Sequence, residues 1–515
     1  MGWNRARAEA RIEEFLERVP QSAVRIEGFE ERYARETKIR ADAGHAPRGY
    51  NPIVSIPPSQ AVLVDGVHVY VQLTDYHSVL TDAQRERAER HMRALKFLHT
   101  HYSSSDRVVV EYQAQRVDYH GPRLHAVIAT PTGSANERQR IERALDFAMA
   151  MKRMIEVTGD KVLGGEFKTG VRIGIDSGMA VAVNSGRANE QEPLFLGNPA
   201  NYAAKLADGE EPGIFLSDRV RNILGMALLG NLVSQKRSAY FQDAGSPFAV
   251  NRSMSDQRIE MMAEDVRLTV EPQVRATEFT FHRHAPPLST IDYSTLTPSN
   301  TIHMPMLSIF ADIDGFTAYV QRCIENGQVK ELVSNLHVLR KELAAVLKTE
   351  FNGKKVRFIG DCIHGILAEG TRTETDAAAT IESGVLCAGG MRSSFELCQT
   401  TLPGIGDLGL AIGMEYGNTP VTRLGTRGEL SVRCATSRAV SESERVQSDL
   451  SGEETGLGPA ALAKASARVK KLFDRNGRQD GLDFAAASSL LLSAPAVAAQ
   501  AAEENRPPLR SHARR

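Results

Sequence analysis

The feature that most limits how this chain can fold is an internal repeat. Residues 171–179 read VRIGIDSGM and residues 408–417 read LGLAIGMEYG, and each closes a run of segments in the same order. The first run opens on a strand, AVLVDGVHVYV (61–71). Strand-like RVVVEYQAQRVDYH (107–120) and LHAVIAT (124–130) follow on either side of GPR, then a helix over 137–159, then 171–183 as a buried strand pair. The second run has a strand and turn in MPMLSIFADIDG (304–315) and a helix over 328–351. A hairpin over 354–368 carries Gly360-Asp361 at its tip, and a helix over 374–398 and a strand over 407–417 complete the run. Two passes through β-α-β-β-α-β predict an α/β (α+β) fold of two ferredoxin-like layers in tandem, each with helices on one face of an antiparallel sheet. The other side of each layer is then free to close against its copy.

These signals divide the chain into a helical N-terminal extension (1–56), a first domain (57–250), a linker (251–300), a second domain (301–458) and a helical or flexible tail (459–515). The extension holds an amphipathic helix over 2–19, with Ile12, Phe15, Leu16 and Val19 on one face and Pro20 ending it. A Gly- and Pro-rich loop (43–59) follows. The late apolar run 484–499 is Ala/Ser-rich and broken by Pro495, which reads as a docking helix ahead of a solvated tail (504–515). A membrane span needs about 20 predominantly apolar residues.

Composition narrows the partners. Lys+Arg number 62 and Asp+Glu 63, so there is no basic excess to bind a nucleic-acid polymer or an anionic membrane. The five cysteines begin only at Cys323 and lack metal-site spacing, so a disulfide framework is not expected and a reducing cytoplasm is. The charged N-terminus does not read as a signal peptide. His125, His303 and His364 lie on or beside strands without ligand spacing and read as core or surface residues rather than zinc ligands.

The chemistry gathers in the second copy. Asp312 and Asp314 follow an apolar run and precede a helix, where an acid can be a simple cap. Asp361 lies 49 residues after Asp312, at the hairpin tip, on a strand expected to neighbour that of Asp312. Two such acids repel each other unless cations lie between them. Hard Mg²⁺ or Mn²⁺ ions prefer such oxygen donors and take substrate phosphates to complete their shells. The turn over 313–316 offers helix-start N–H groups to a triphosphate. In the first copy, FLGNPANYAAKL (195–206) places Asn201 and Lys205 four apart, on one helical face.

FADIDGFT (310–317) and RFIGDCIHGIL (357–367) together resemble the two metal motifs of the class III nucleotidyl cyclases, over roughly residues 57–245 and 301–450. The resemblance implies two divalent cations, Mn²⁺ or Mg²⁺, held by Asp312, Asp361 and the Ile313 carbonyl. It implies a triphosphate on Asp314, Gly315, Phe316 and Thr317. Asn201 would orient the ribose, and Lys205, in the place of the family's Arg, would stabilise charge at the α-phosphate. The copies divide the labour: the first keeps Asp65 as its strand acid, but Pro122 stands where the second metal ligand belongs. In the second, Arg433 falls at the Asn position. One complete site and one dead mirror site follow, as in heterodimeric cyclases.

The base-reading position, four residues before the hairpin acid, is Asp118 in the first copy, or Tyr119 if the register slips, and Arg357 in the second. Arg357 would face the dead site. Its resemblance to the pyrimidine cyclases of Pycsar anti-phage systems favours UTP as substrate and cyclic UMP as product, read by a cyclic-nucleotide-sensing effector. A guanylate or adenylate cyclase, a catalytically dead nucleotide binder and a scaffold built on the helical ends stay open. So does a further homodimer.

Overall fold

The computed structural model describes residues 2–43, 56–81, 87–184, 192–240, 256–276, 280–425 and 431–491. Most of the loop expected over 43–59, residues 492–499 of the apolar run and the tail beyond lie outside the described residues. Shorter helical turns are left unlabelled below.

The first half contains α1 (Arg5–Arg18), β1 (Arg25–Gly28), α2 (Phe29–Asp42), β2 (Gln60–Leu73), α3 (Ala88–Glu111), β3 (Gln115–His120), β4 (Arg123–Ile128), α4 (Glu137–Lys161), β5 (Val171–Asn184), β6 (Pro193–Leu196), α5 (Asn198–Ala207), β7 (Gly213–Leu216) and α6 (Asp256–Ala276). The second half contains β8 (Phe281–His282), β9 (Thr301–Asp314), α7 (Phe316–Glu325), α8 (Val329–Ala345), β10 (Lys354–Ile359), β11 (Cys362–Leu367), α9 (Ala377–Thr401), β12 (Gly409–Leu424), β13 (Val432–Ala435), α10 (Arg438–Ser448), β14 (Glu454–Leu457), β15 (Arg478–Asp480) and α11 (Phe484–Leu491). The strands form two sheets. The central order is β3-β4-β2-β5 in one and β10-β11-β9-β12 in the other, the same arrangement twice. Both sheets also take in parallel pairs at their margins, such as β5 with β7 and β12 with β14.

The repeat extends to atomic detail. Each hairpin has a register break at the same place, between Arg116 and Asp118 and between Lys355 and Arg357. Each third long strand carries a glycine under a helix. A β-carbon on Gly174 would lie 2.1 Å from the Ala203 carbonyl, and one on Gly413 would lie 2.4 Å from the Gln447 nitrogen. Any side chain there would push the helix off the sheet. The helices α5 and α10 thereby occupy matching places.

Several expectations need correction. Residues 107–111 end α3 rather than begin a strand, because Val108 and Val109 are buried on the helix's packed face and tertiary contact overrides their β preference. Residues 171–183 form one strand, not a pair, since β5 is matched along its length by the equally long β2. The 251–300 segment is no simple connection. Within it, α6 packs Ile259, Met262, Ala263, Val266, Val270 and Val274 into the core shared with α3 and α4. Those positions have a helical period that was readable in the sequence. The expected 2–19 helix is α1, started where Asn4 Oδ1 accepts from the Arg7 N–H at 3.0 Å. It buries Ala8, Ile12 and Phe15 against the second half. The described part of the late apolar run, α11, packs on α9.

Candidate active site

A cavity of about 600 Å³ opens between the halves, and residues from both line it. From the second half come Asp312, Ile313, Asp314, Gly315, Phe316, Thr317 and Asp361; from the first come Asp118, Asn201 and Lys205. Every site residue expected from sequence except Arg357 therefore lines one space.

The acids meet because β9 and β11 pair directly, with Ile363 opposite Ala311. The Ile313 backbone N–H favours the charged form of both the Asp312 and the Asp361 carboxylates. Burial pushes Asp312 up to about 6, the Asp314 charge adds to this, and a hydrogen bond from Gln447 opposes it. Burial and then the Asp312 charge push Asp361 well above the usual carboxylate range. Asp314 turns aside and accepts the Gly452 N–H at 3.2 Å. Gly315 follows with φ +79°, which the sharp strand-to-helix turn requires, and α7 starts with no side-chain cap. Its first N–H groups point outward as donors. Across the cavity, Asn201 Nδ2 donates to Thr317 Oγ1 at 2.6 Å, joining α5 to that turn.

The sequence matches the adenylate and guanylate cyclase catalytic domain over residues 72–241. It is 48% identical to the uridylate cyclase of a Rhizobium species over 511 residues, 96% of this chain and 97% of that protein. A uridylate cyclase of Pseudomonas aeruginosa is 40% identical over 447 residues, 85% of each chain. Among solved structures, a class III adenylyl cyclase-like ATP-binding protein from Pseudomonas aeruginosa superposes with a TM-score of 0.83. It is 36% identical, and the match covers 95% of this chain and 99% of that one. The chain belongs to the class III nucleotidyl cyclases.

Strand register shows how the two halves of this cyclase differ. Gln72 lies opposite Arg123, and each hairpin closes between His120 and Arg123 or between Ile359 and Cys362. By that register Gln72, not Asp65, corresponds to Asp312, and Pro122 corresponds to Asp361. Asp65 sits mid-strand and is bound by the buried Arg140 at 2.6 Å. The close helix contacts of Gly174 and Gly413 likewise match Asn201 with Ser441 and Lys205 with Arg445. Arg433, expected at the Asn position, is instead on β13 and donates to Glu192 at 2.5 Å. Glu192 is a cross-half anchor. Burial would raise it, but the Lys355 ammonium and Arg433 guanidinium outweigh that and hold it at about 2.

Arg357 does not reach the cavity. It is buried behind the wall and donates to both Asp118 oxygens, at 3.1 and 3.0 Å, and to the Tyr119 carbonyl. The expected conflict disappears: the second-half Arg grips the first-half acid of the same cavity. Tyr119 is also buried, its hydroxyl donating to Asp106 at 2.9 Å, so it does not read the cavity.

Sequence reading missed other lining groups. Gln447 lines the cavity with Asp312, and Glu444 accepts from His120 at 3.2 Å, both from α10. Burial opposes the Glu444 charge, but His120 and Arg123 hold it at about 2. Arg340 reaches in from α8. None of these belongs to a motif. Only the register of α10 on Gly413 signals that its side chains face Asp312. Among the described residues no group of three or more His, Cys, Asp and Glu side chains could hold a metal ion, and none of the helices is long and apolar enough to cross a membrane.

Proposed function

We propose that this enzyme is a uridylate cyclase. It converts UTP to 3′,5′-cyclic UMP and pyrophosphate at one site built by two cyclase domains paired within the chain. The observation that carries the reading is the half-buried Asp312–Asp361 pair, brought together by the β9–β11 pairing, in a cavity whose opposite wall holds Asn201, Lys205 and Asp118.

The acid pair fits divalent cations. Its donors are hard oxygens, and both acids are held above their usual range, Asp312 by burial and the Asp314 charge, Asp361 by burial and the Asp312 charge. Asp312, Asp361 and the Ile313 carbonyl would hold Mg²⁺ or Mn²⁺. When bound, such ions lower the pKa of the ribose hydroxyl and neutralise phosphate charge. The chain's own groups do the rest. The N–H groups of Asp314 to Thr317 at the uncapped start of α7 receive the β- and γ-phosphates. Asn201 turns from Thr317 to the ribose and sets the 3′-oxygen in line with the α-phosphorus. Lys205, one turn further along α5, places its ammonium against the charge that grows on the α-phosphate. The ring O–P bond forms as the bond to pyrophosphate breaks.

Asp118 reads the base. Uracil offers N3–H to its carboxylate, cytosine offers only its N4 amino group, and adenine N1 offers a lone pair and is repelled. Guanine N1–H is accepted too, and here the two uridylate cyclases resembling this chain favour uracil. Arg357 keeps Asp118 aimed into the cavity. Cyclic UMP then serves a cyclic-nucleotide-sensing effector, as in the Pycsar anti-phage systems the sequence resembles.

The test is incubation with UTP, CTP, GTP or ATP and Mn²⁺, with products identified by mass. Cyclic UMP should dominate. The relative described as ATP-binding makes ATP the informative competitor, and cyclic AMP as main product would overturn the assignment. Asp118→Asn replaces one acceptor oxygen by a donor and should lower kcat/KM for UTP by about 10- to 100-fold, the value of a charge-assisted hydrogen bond.

A further inference from the structure

We infer that Arg340 is a positioning residue that presents Asp361 to the metal site by gripping the hairpin turn. Its guanidinium enters from α8, is 2% exposed, and donates through Nη2 to the Gly360 carbonyl. That carbonyl belongs to the peptide unit whose nitrogen is that of Asp361. Because the unit is planar, holding the oxygen fixes where the Asp361 Cα sits. The turn is tight, with only two residues between Ile359 and Cys362 and Gly360 at φ +63°, so the held carbonyl sits directly beside the Asp361 Cα. The guanidinium also lies 4.3 Å from the Phe358 ring centroid, which fixes its plane.

The other half supplies an internal comparison. Its matching turn glycine, Gly121, also presents its carbonyl to a side chain from the preceding helix, the Tyr102 hydroxyl on α3. A phenol does this where the next residue is Pro122. A guanidinium does it where the next residue is Asp361. The grip is common to both halves, but the charge occurs only beside the acid. The Glu192 and Asp361 charges both act on the Arg340 guanidinium.

The inference rests on Asp361 being a metal ligand, so the test separates the two. Mn²⁺ alone is titrated into the full-length chain and the free ion is measured by electron paramagnetic resonance. Asp361→Asn should weaken binding. Arg340→Met should weaken it about 10- to 100-fold, as loss of a ligand's support does. Combined, the two should be no weaker than Asp361→Asn alone, because Arg340 acts through that residue. Arg340→Lys keeps a donor and a charge and should bind within about threefold of the parent. It carries the test if Arg340→Met does not fold. Unchanged or tighter Mn²⁺ binding in Arg340→Met, full additivity in the double variant, or a Lys variant as weak as Asp361→Asn would overturn the inference. Unchanged binding in Asp361→Asn would instead overturn the metal reading beneath it.

Discussion

Asp361→Asn is expected to cut turnover severely and at the same time to stabilise the metal-free protein. Loss of one of the two carboxylates of the proposed metal site should cost at least about three orders of magnitude in rate, or ~4 kcal/mol. The gain in stability follows from the same geometry. Asp312 and Asp361 sit half-buried on neighbouring strands, the Asp312 charge pushes Asp361 up, and an amide of the same shape removes that repulsion. The sign with pH follows from Asp312. Its folded value of about 6 lies above its ordinary 3.8. Below 3.8 both states are protonated and nothing is lost. Between 3.8 and 6 the unfolded chain releases the proton first, so stability falls as pH rises through that window. The penalty above pH 6 is about 3 kcal/mol in the parent. In Asp361→Asn the fall should be shallower. Thermal unfolding in a chelator from pH 4 to 8, beside product formation by mass, reads both effects. Retained turnover, or a variant less stable than the parent at pH 7, would sink the paired-acid account.

The second large effect lies far from the reacting atoms. Arg11 on α1 donates to both Glu342 oxygens, at 2.9 and 2.6 Å, and to Glu350 at 2.5 Å. The side chains of these two acids are 1% and 2% exposed. Arg7 reaches Glu350 at 2.6 Å, and Ser394 donates to Glu342 at 2.8 Å. Arg11→Ala leaves two buried carboxylates short of their main counter-charge and should destabilise the second half by about 3–5 kcal/mol, the cost of breaking a buried pair from one side. The shift is read from the first transition in urea. Arg11→Ala combined with Glu342→Gln and Glu350→Gln should recover part of it, because the charges that lost their partner are gone. A loss below about 1 kcal/mol would mean that the contact only decorates the surface. Arg340 lies on α8 beside Glu342, so loosening α1 also loosens the element that grips the Asp361 turn.

The parts of the site legible in sequence are those set by local physics. A strand that ends in Asp312, a glycine that allows the turn at 315 and a hairpin tip at 360–361 are read from neighbours a few residues away. Helical spacing puts Asn201 and Lys205 on one face, and the resemblance to the cyclase motif singles them out. Local reading failed where contact overrode preference, as at Val108 and Val109. It also failed at Asp65, which resembles a strand-end ligand only while the strand's length is unknown; pairing with β4 puts Gln72, an amide, in that place.

What the amino-acid order determined by itself was the repeated element order and the chemical type of each motif, because periodicity and turn chemistry act over a few residues. What only the tertiary structure decided was which side chains meet: Arg357 with Asp118, Glu192 with Lys355 and Arg433, Gln447 with Asp312, and Arg340 with the Gly360 carbonyl. Most of these groups are tens to hundreds of residues apart. Each was charged or polar with no local partner to announce it. Burial made partners compulsory, and the packing of the two halves chose them.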